Sequence, residues 1–343
     1  MTYVVREVDI SAVDDDTLRA MVDLINMLNV EAEPRQAPFT LEEARMFFIR
    51  PGAVQKRYAL TDGDGAILGH LVHSYADDGS NPDTLRAQIG IDAEHRRAGH
   101  GTRLLSRLVD DARDLGRSKL TGKVFDTVPA AQAFAEAIGV RSTLDMHVNV
   151  VKIPDLDKEM LQRWVDEGPR RAPGYSMTVY QGMVPHVLLD GVAHLHFILE
   201  RDSPRPEGQQ PREWTGNLVR QMYTHFLQGV DSLTAIATND ASGALVGMSQ
   251  LIRRHGDPST WIVTVTMVDP DHRGHALGKW AKASVNLEAM EHWPGGEWQE
   301  TANAFANDAM LGINHAMGFE HELSAADVEV SLADAEAYLE SRS

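Results

Sequence analysis

One turn signature occurs twice in this chain, about half its length apart, and that recurrence constrains the fold more than any other feature. The first instance is Ile91-Asp-Ala-Glu-His-Arg96-Arg97-Ala98-Gly99-His100-Gly101, and the second is Val268-Asp-Pro-Asp-His-Arg273-Gly274-His275-Ala276-Leu277-Gly278. Each closes an apolar, β-branched run and opens a segment of helical periodicity. A strand that turns through small residues into a helix presents free backbone N–H groups to an anion. Two such cradles predict duplicated binding of a phosphorylated ligand.

The duplication extends beyond the signature. Asp64-Gly-Ala-Ile-Leu-Gly69 pairs with Ser242-Gly-Ala-Leu-Val-Gly247 at an offset of 178, Arg96 with Arg273 at 177, and Gly139 with Gly318 at 179. Three landmarks in near-constant register predict two copies of one fold, each too long for a solenoid repeat. A length of 343 residues, 43% of them hydrophobic, agrees with two domains that each bury an ordinary core. The alternation of strand-like and helix-like runs reads β-α-α-β-β-β-α-β-α-β in each copy, a mixed α/β sheet. We expect a first domain over 1–165, a connector at 166–174 where Gly168, Pro169, Pro173 and Gly174 cluster, and a second domain over 175–343.

Composition excludes several classes of function. The chain has no cysteine, so disulfides, thiolate metal sites and a cysteine nucleophile are ruled out. A formal charge of −18 gives no basic footprint for nucleic acid and would tolerate a cationic substrate. No apolar run reaches membrane-spanning length, and the opening MTYVVREVDI is not a signal peptide, so a soluble cytoplasmic protein is expected.

The first cradle fits Arg-x-x-Gly-x-Gly. Glycine lets backbone approach a diphosphate without an intervening Cβ, and the helix start adds about half a positive charge. Arg96 and Arg97 are read as additional mobile charge. Gly274 to Lys279 has the wrong spacing for a Walker loop, and a dinucleotide fingerprint would come earlier in a βαβ unit.

The cradle, its place after the fourth strand, and Asn307-Asp-Ala-Met310-Leu-Gly-Ile-Asn314-His-Ala-Met-Gly318-Phe319 resemble the GNAT superfamily of acyl-CoA-dependent N-acyltransferases. Both halves are covered, so the chain is similar to tandem GNAT proteins of actinobacteria. The resemblance implies acetyl-CoA or another acyl-CoA as cofactor and direct attack by the amine of a small molecule. It places the diphosphate on Arg96, Arg97, Ala98, Gly99, His100, Gly101 and Thr102 in the first copy. The second-copy counterparts are Arg273, Gly274, His275, Ala276, Leu277, Gly278 and Lys279. Pantetheine would run beside Ile89 and Ile91, or Met267 and Val268, with Asn303 and Asn307 as amide partners.

The copies are unequal. The family commonly has a tyrosine that protonates the departing thiolate; the matching position is Asn314 in the second copy and Ala135 in the first. An amide hydrogen-bonds but does not titrate. The first copy keeps both cradle glycines, whereas Ala276 replaces Gly99 in the second. A division of labour is expected: the first copy holds acyl-CoA structurally or not at all, and the second acylates.

A protonated amine needs a base, and Glu300 at the end of the fifth strand is the best-placed carboxylate. Thr264 and Thr266, two apart on the fourth strand, would share a face and order a water. His95, His100, His272 and His275 lie within the cradles as candidate phosphate contacts. His194 and His196 lack a third ligand, so no metal site is expected. Direct transfer is favoured, with a non-catalytic acyl-CoA sensor as the alternative. The partners expected are a small-molecule amine, with a homodimer compatible.

Overall fold

The computed structural model describes residues 2–203, 209–304 and 308–342. The first copy runs β1 (Val4–Glu7), α1 (Asp15–Ala32), α2 (Leu41–Phe47), β2 (Ala53–Thr61), β3 (Ile67–Ala76), β4 (Thr84–Ile91), α3 (His100–Asp114), β5 (Lys119–Phe125), α4 (Pro129–Ile138) and β6 (Arg141–Lys152). A helix α5 (Lys158–Arg171) follows it. The second copy repeats that order with β7 (Tyr175–Gln181), α6 (Leu189–Asp202), α7 (Gly216–Phe226), β8 (Val230–Asn239), β9 (Leu245–Arg254) and β10 (Asp257–Val268). It continues through α8 (Leu277–His292), β11 (Trp298–Ala304), α9 (Asp308–Ala316) and β12 (Glu320–Ser331), with α10 (Leu332–Glu340) closing the chain.

The structure divides into two compact units whose ends differ from those of the sequence copies. The first is built chiefly from Met1–Met146 and Leu323–Ser343, the second chiefly from His147–Pro204 and Pro211–Glu322. In the first unit the strand order is β1-β2-β3-β4-β5-β12, with Arg141–Met146 of β6 beside β12. In the second it is β7-β8-β9-β10-β11, with residues 147–152 of β6 beside β11. The last half-strand and the closing helix of each copy therefore finish in the other unit.

Alternating burial along the strands sets the layers. In the first unit, Leu60 packs with Leu71, Leu85 and α3 residues Leu104, Leu105 and Leu108. Its neighbour Ala59 points to the other face, against Leu18, Met21 and Ile25 of α1. Helices thus cover both faces. Each fully buried leucine contributes about 1.5–3 kcal/mol. The second unit repeats the plan: Leu251 and Val263 meet α8, and Met248, Val265 and Met267 meet α6.

Five of the helices start on a side-chain cap. Asp14, Asp157, Thr215 and Ser331 each accept a hydrogen bond from a first-turn amide, and Thr40 forms a capping box with Glu43. The segment read as a connector is largely helical: α5 continues through Arg171 within the second unit. Gly168 serves packing there rather than a turn, since a Cβ would come 2.3 Å from the Trp280 ring of α8. Gly168→Ala is expected to lower the unfolding free energy by about 1–3 kcal/mol, measured by chemical denaturation.

Candidate active site

The two cradles share one backbone path. After β4 a short 3-10 turn leads to Arg97 at φ 65° and Gly99 at φ 81°, and Gly99 is the N-cap of α3. After β10 the same turn leads to Gly274 at φ 88° and Ala276 at φ 58°, the N-cap of α8. Each cradle thus places two left-handed residues two positions apart, with glycine at only one of them, and the glycine has changed places between copies. Neither α3 nor α8 has a side-chain cap. The first helical bonds are Arg103 N–H to Gly99 O at 3.1 Å and Trp280 N–H to Ala276 O at 3.0 Å. The preceding amides of His100, Gly101 and Thr102, and of Leu277, Gly278 and Lys279, precede any α-helical partner. Uncapped amides beside a left-handed turn fit a diphosphate.

The signature arginines pin these turns. Arg96 donates from Nε to Ile91 O at 3.0 Å and forms a bidentate pair with Glu31 of α1. The equivalent Arg273 donates to Val268 O at 3.2 Å and to Asp202 of α6 at 3.2 Å. Arg96 is therefore not the mobile charge expected from sequence, because a carboxylate on the first helix holds it. The Arg96 pair draws the Glu31 carboxyl below its ordinary value. Arg97 is exposed, and Lys279, also exposed, lies over the Trp164 ring at 5.2 Å.

Two cradle histidines are turned inward. The His100 ring is 2% exposed and meets Tyr3 edge-on at 4.5 Å, leaving only its amide for a ligand, while the His272 ring is bonded to the Tyr175 hydroxyl at 2.9 Å.

Beside each cradle two parallel strands part. β4 pairs with β5 over Thr84–Arg86, and β10 pairs with β11 over Thr260–Val263. Beyond those pairs lie Ile89 and Ile91 in the first unit and Met267 and Val268 in the second. The strands differ in one residue. In the first unit Val72 pairs with Gln88 and His73 with Ala87, whereas in the second Gln250 pairs with Val265 and Leu251 with Val263, leaving Thr264 over as a bulge. A bulge takes its extra residue out of the ladder. Thr264 is exposed although it lies mid-strand between β9 and β11.

The bulge overturns the expectation that Thr264 and Thr266 share a face. Thr264 donates to Gln250 Oε1 at 2.7 Å, whereas Thr266 bonds Ser249 at 2.9 Å, and consecutive residues of β9 point to opposite faces. The Gln250 amide also donates to Tyr223 of α7 at 3.0 Å and to Thr234 of β8 at 3.0 Å. Burial holds the Tyr223 phenol above its ordinary pKa. Glu300 pairs with Ile262 in the closed part of the strands, so it lies mid-strand rather than at the strand's end, on this same face. His194 and His196 lie on helix α6; His194 is exposed, and His196 stacks on Trp214 at 4.4 Å, its pKa lowered to about 4 by burial.

On the opposite face, α8 and α9 enclose a polar cluster. Asn314 is 2% exposed and donates to Asn303 Oδ1 at 2.6 Å. Its own Oδ1 accepts from Lys282, which is 0% exposed and lies 4.8 Å from the Phe319 ring. Burial lowers the Lys282 pKa from 10.5 to about 7. Asn307 lies outside the described residues. Sequence reasoning missed Lys282, although a signal was present: counted from the N-caps, it occupies the position of the core residue Leu105.

Residues 19–140 match the model of the Acetyltransferase (GNAT) family. The whole chain is similar to a solved tandem GNAT protein from the clavulanic acid biosynthesis pathway, at 25% identity and TM-score 0.79, covering 96% of this chain and 99% of that one. A GCN5-related N-acetyltransferase from Sphaerobacter thermophilus aligns at 14% identity and TM-score 0.64, with 96% of each chain covered. A glucosamine N-acetyltransferase region of a fungal multi-domain β-N-acetylglucosaminidase aligns at 14% identity and TM-score 0.67, over 96% of this chain and 38% of that one. No curated protein matches the sequence. The family match thus falls on the first copy, and along its whole length the chain is similar to a protein with two GNAT folds in tandem.

The buried lysine makes stability depend on pH. Between about pH 7 and 10.5 the native lysine is neutral while the unfolded one is charged, so the unfolded chain binds the extra proton and stability rises with pH through that window. Lys282→Met is expected to remove that rise and to be most stabilising below pH 7, as read from denaturation midpoints across the range. Ala276→Gly relieves a left-handed alanine and is expected to raise the unfolding free energy by about 0.5–1 kcal/mol in the same assay.

Proposed function

We propose that the chain is an acyl-CoA-dependent N-acyltransferase that transfers an acetyl group to the amine of a small molecule, with transfer in the second unit. The observation that carries this reading is the bulge at Thr264, which opens the middle of the sheet beside a cradle. The first unit has a cradle but an unbroken β3–β4 ladder over Gly69–Ser74. We assign it to structural binding of acyl-CoA.

In each unit the first-turn amides at Gly101 or Gly278 would hold the diphosphate, and the parted strands would take the pantetheine. Bound acyl-CoA supplies an activated carbonyl. Thr264, Gln250 and Tyr223 line the face that receives the amine, and Glu300 on that face takes its proton through water. Amines with pKa values near 10 are charged at neutral pH, and a protein of charge −18 favours such an approach. The similar tandem GNAT protein comes from the clavulanic acid biosynthesis pathway, which supports a small-molecule acceptor.

A second reading, a non-catalytic acyl-CoA sensor, is favoured by the engagement of Asn314, whose two amide heteroatoms are already bonded. Native mass spectrometry of the purified protein, followed by CoA-thiol release across an amine library, separates the two. We expect co-purifying CoA species and release with at least one amine; stoichiometric ligand without release selects the sensor. Asn314→Ala is expected to reduce turnover at least tenfold, and Ala135→Gly to leave it within about twofold. Equal losses from the two variants would reject the division of labour.

A further inference from the structure

Among the described residues, the second unit encloses a cation with no anion to meet it. Lys282 is 0% exposed, and among the described residues it forms no ion pair; its polar contact is the Asn314 carbonyl oxygen. A buried unpaired ammonium is costly, and a leucine would pack there at no such cost, as Leu105 does in the first unit at 3% exposed. The change is not isolated. Asn286 stands where the first unit has Val109, and Asn314 where it has Ala135. Of the two, Asn314 accepts from the Lys282 ammonium, whereas Asn286 Nδ2 donates to the Lys282 backbone carbonyl one helical turn away.

That cluster leads outward. Asn314 bonds Asn303 on β11, and Asn303 lies past Thr301, the last residue of β11 paired with β10. The chain Lys282–Asn314–Asn303 therefore joins a buried positive charge to the place where the strands part. Resting on the reading that the second unit transfers the acyl group, we infer that Lys282 is a positioning residue whose ammonium, acting through Asn314, stabilises the thiolate released there.

In the reaction the amine nitrogen forms a C–N bond to the thioester carbonyl carbon and loses one proton. The C–S bond breaks, and sulfur leaves with the electron pair and takes one proton. The ammonium, present below about pH 7, favours that departure even though the amide between does not titrate. Asn314 is held in one orientation, with Oδ1 toward the ammonium and Nδ2 toward Asn303.

Several charged groups on the packed elements lie away from Lys282. Lys279 of α8 lies over Trp164, Glu167 of α5 is paired with Arg171, and Arg253 of β9 with Asp231 of β8. His315 of α9 is exposed, Glu300 of β11 lies on the opposite face, and Lys152 of β6 sits over Trp298. Desolvation alone sets the lysine's proton affinity.

The test compares wild type, Lys282→Met and the control Asn286→Val, which alters a buried polar neighbour on the same helix. For Lys282→Met we expect kcat to fall about 100-fold with KM for acetyl-CoA within about twofold, and the decline of kcat above about pH 7 to vanish. Asn286→Val should retain both kcat and that decline. A second readout needs no turnover: the thiol of bound CoA, followed by thiolate absorbance in the ultraviolet, should titrate about one unit below its usual value near 8.5 in wild type and not in Lys282→Met. An unshifted thiol in wild type overturns the inference even if the variant fails to fold. Equal loss from both variants, or unchanged kinetics in Lys282→Met, overturns it as well. Wild type that binds CoA yet acylates no amine overturns the transferase reading, and the inference with it.

Discussion

The left-handed residue at each cradle helix start is the constraint on which the functional architecture rests. Gly99 and Ala276 reverse the chain so that a helix begins with its amides facing outward and no side chain across them. Everything else at the site is arranged relative to that bend. The strand before it is tied back by an arginine to its own last carbonyl, and a carboxylate at the end of the first long helix holds the arginine. The same three-part clamp occurs in both units with different acids, Glu31 and Asp202. The arginine of the signature is thus a brace for the turn, and the ligand-facing work falls to backbone.

The copies diverge on either side of this shared bend. The first unit keeps its sheet regular and its interior apolar along α3, where Leu104, Leu105, Leu108 and Val109 lie buried together. A buried charge lies further along that helix, where Asp111 is bonded to His73 at 2.9 Å and to Arg107. The second unit inserts a residue into its central strand and admits a lysine and two asparagines beside α8. One copy has therefore retained regular packing, and the other has given up ladder continuity and core apolarity at neighbouring points.

Much of this was legible from the residues. The element order and the cradles followed from strand-to-helix changes in periodicity and from glycine placement. The family resemblance followed from Gly99, Gly101 and the Asn307–Phe319 run, although Asn307 itself falls outside the described residues. What escaped were features that depend on contacts between distant segments. The Arg96–Glu31 pair spans 65 residues, and nothing local to either residue announces it. The bulge at Thr264 shows only when the pairing of β9 with β10 is known, so the two threonines read as neighbours on one face. Gly168 and Pro169 read as loop residues because glycine's other use, close approach of a tryptophan, needs the partner helix to be seen. Lys282 was visible as a break in an apolar pattern, had the two copies been compared position by position.

The exchange of end segments has a consequence for each half of this chain. Because β12 completes the first unit and the second half of β6 completes the other, half of the gene encodes an unfinished sheet with an unpaired edge. Each unit thus takes its last strand segment and a closing helix from the other copy.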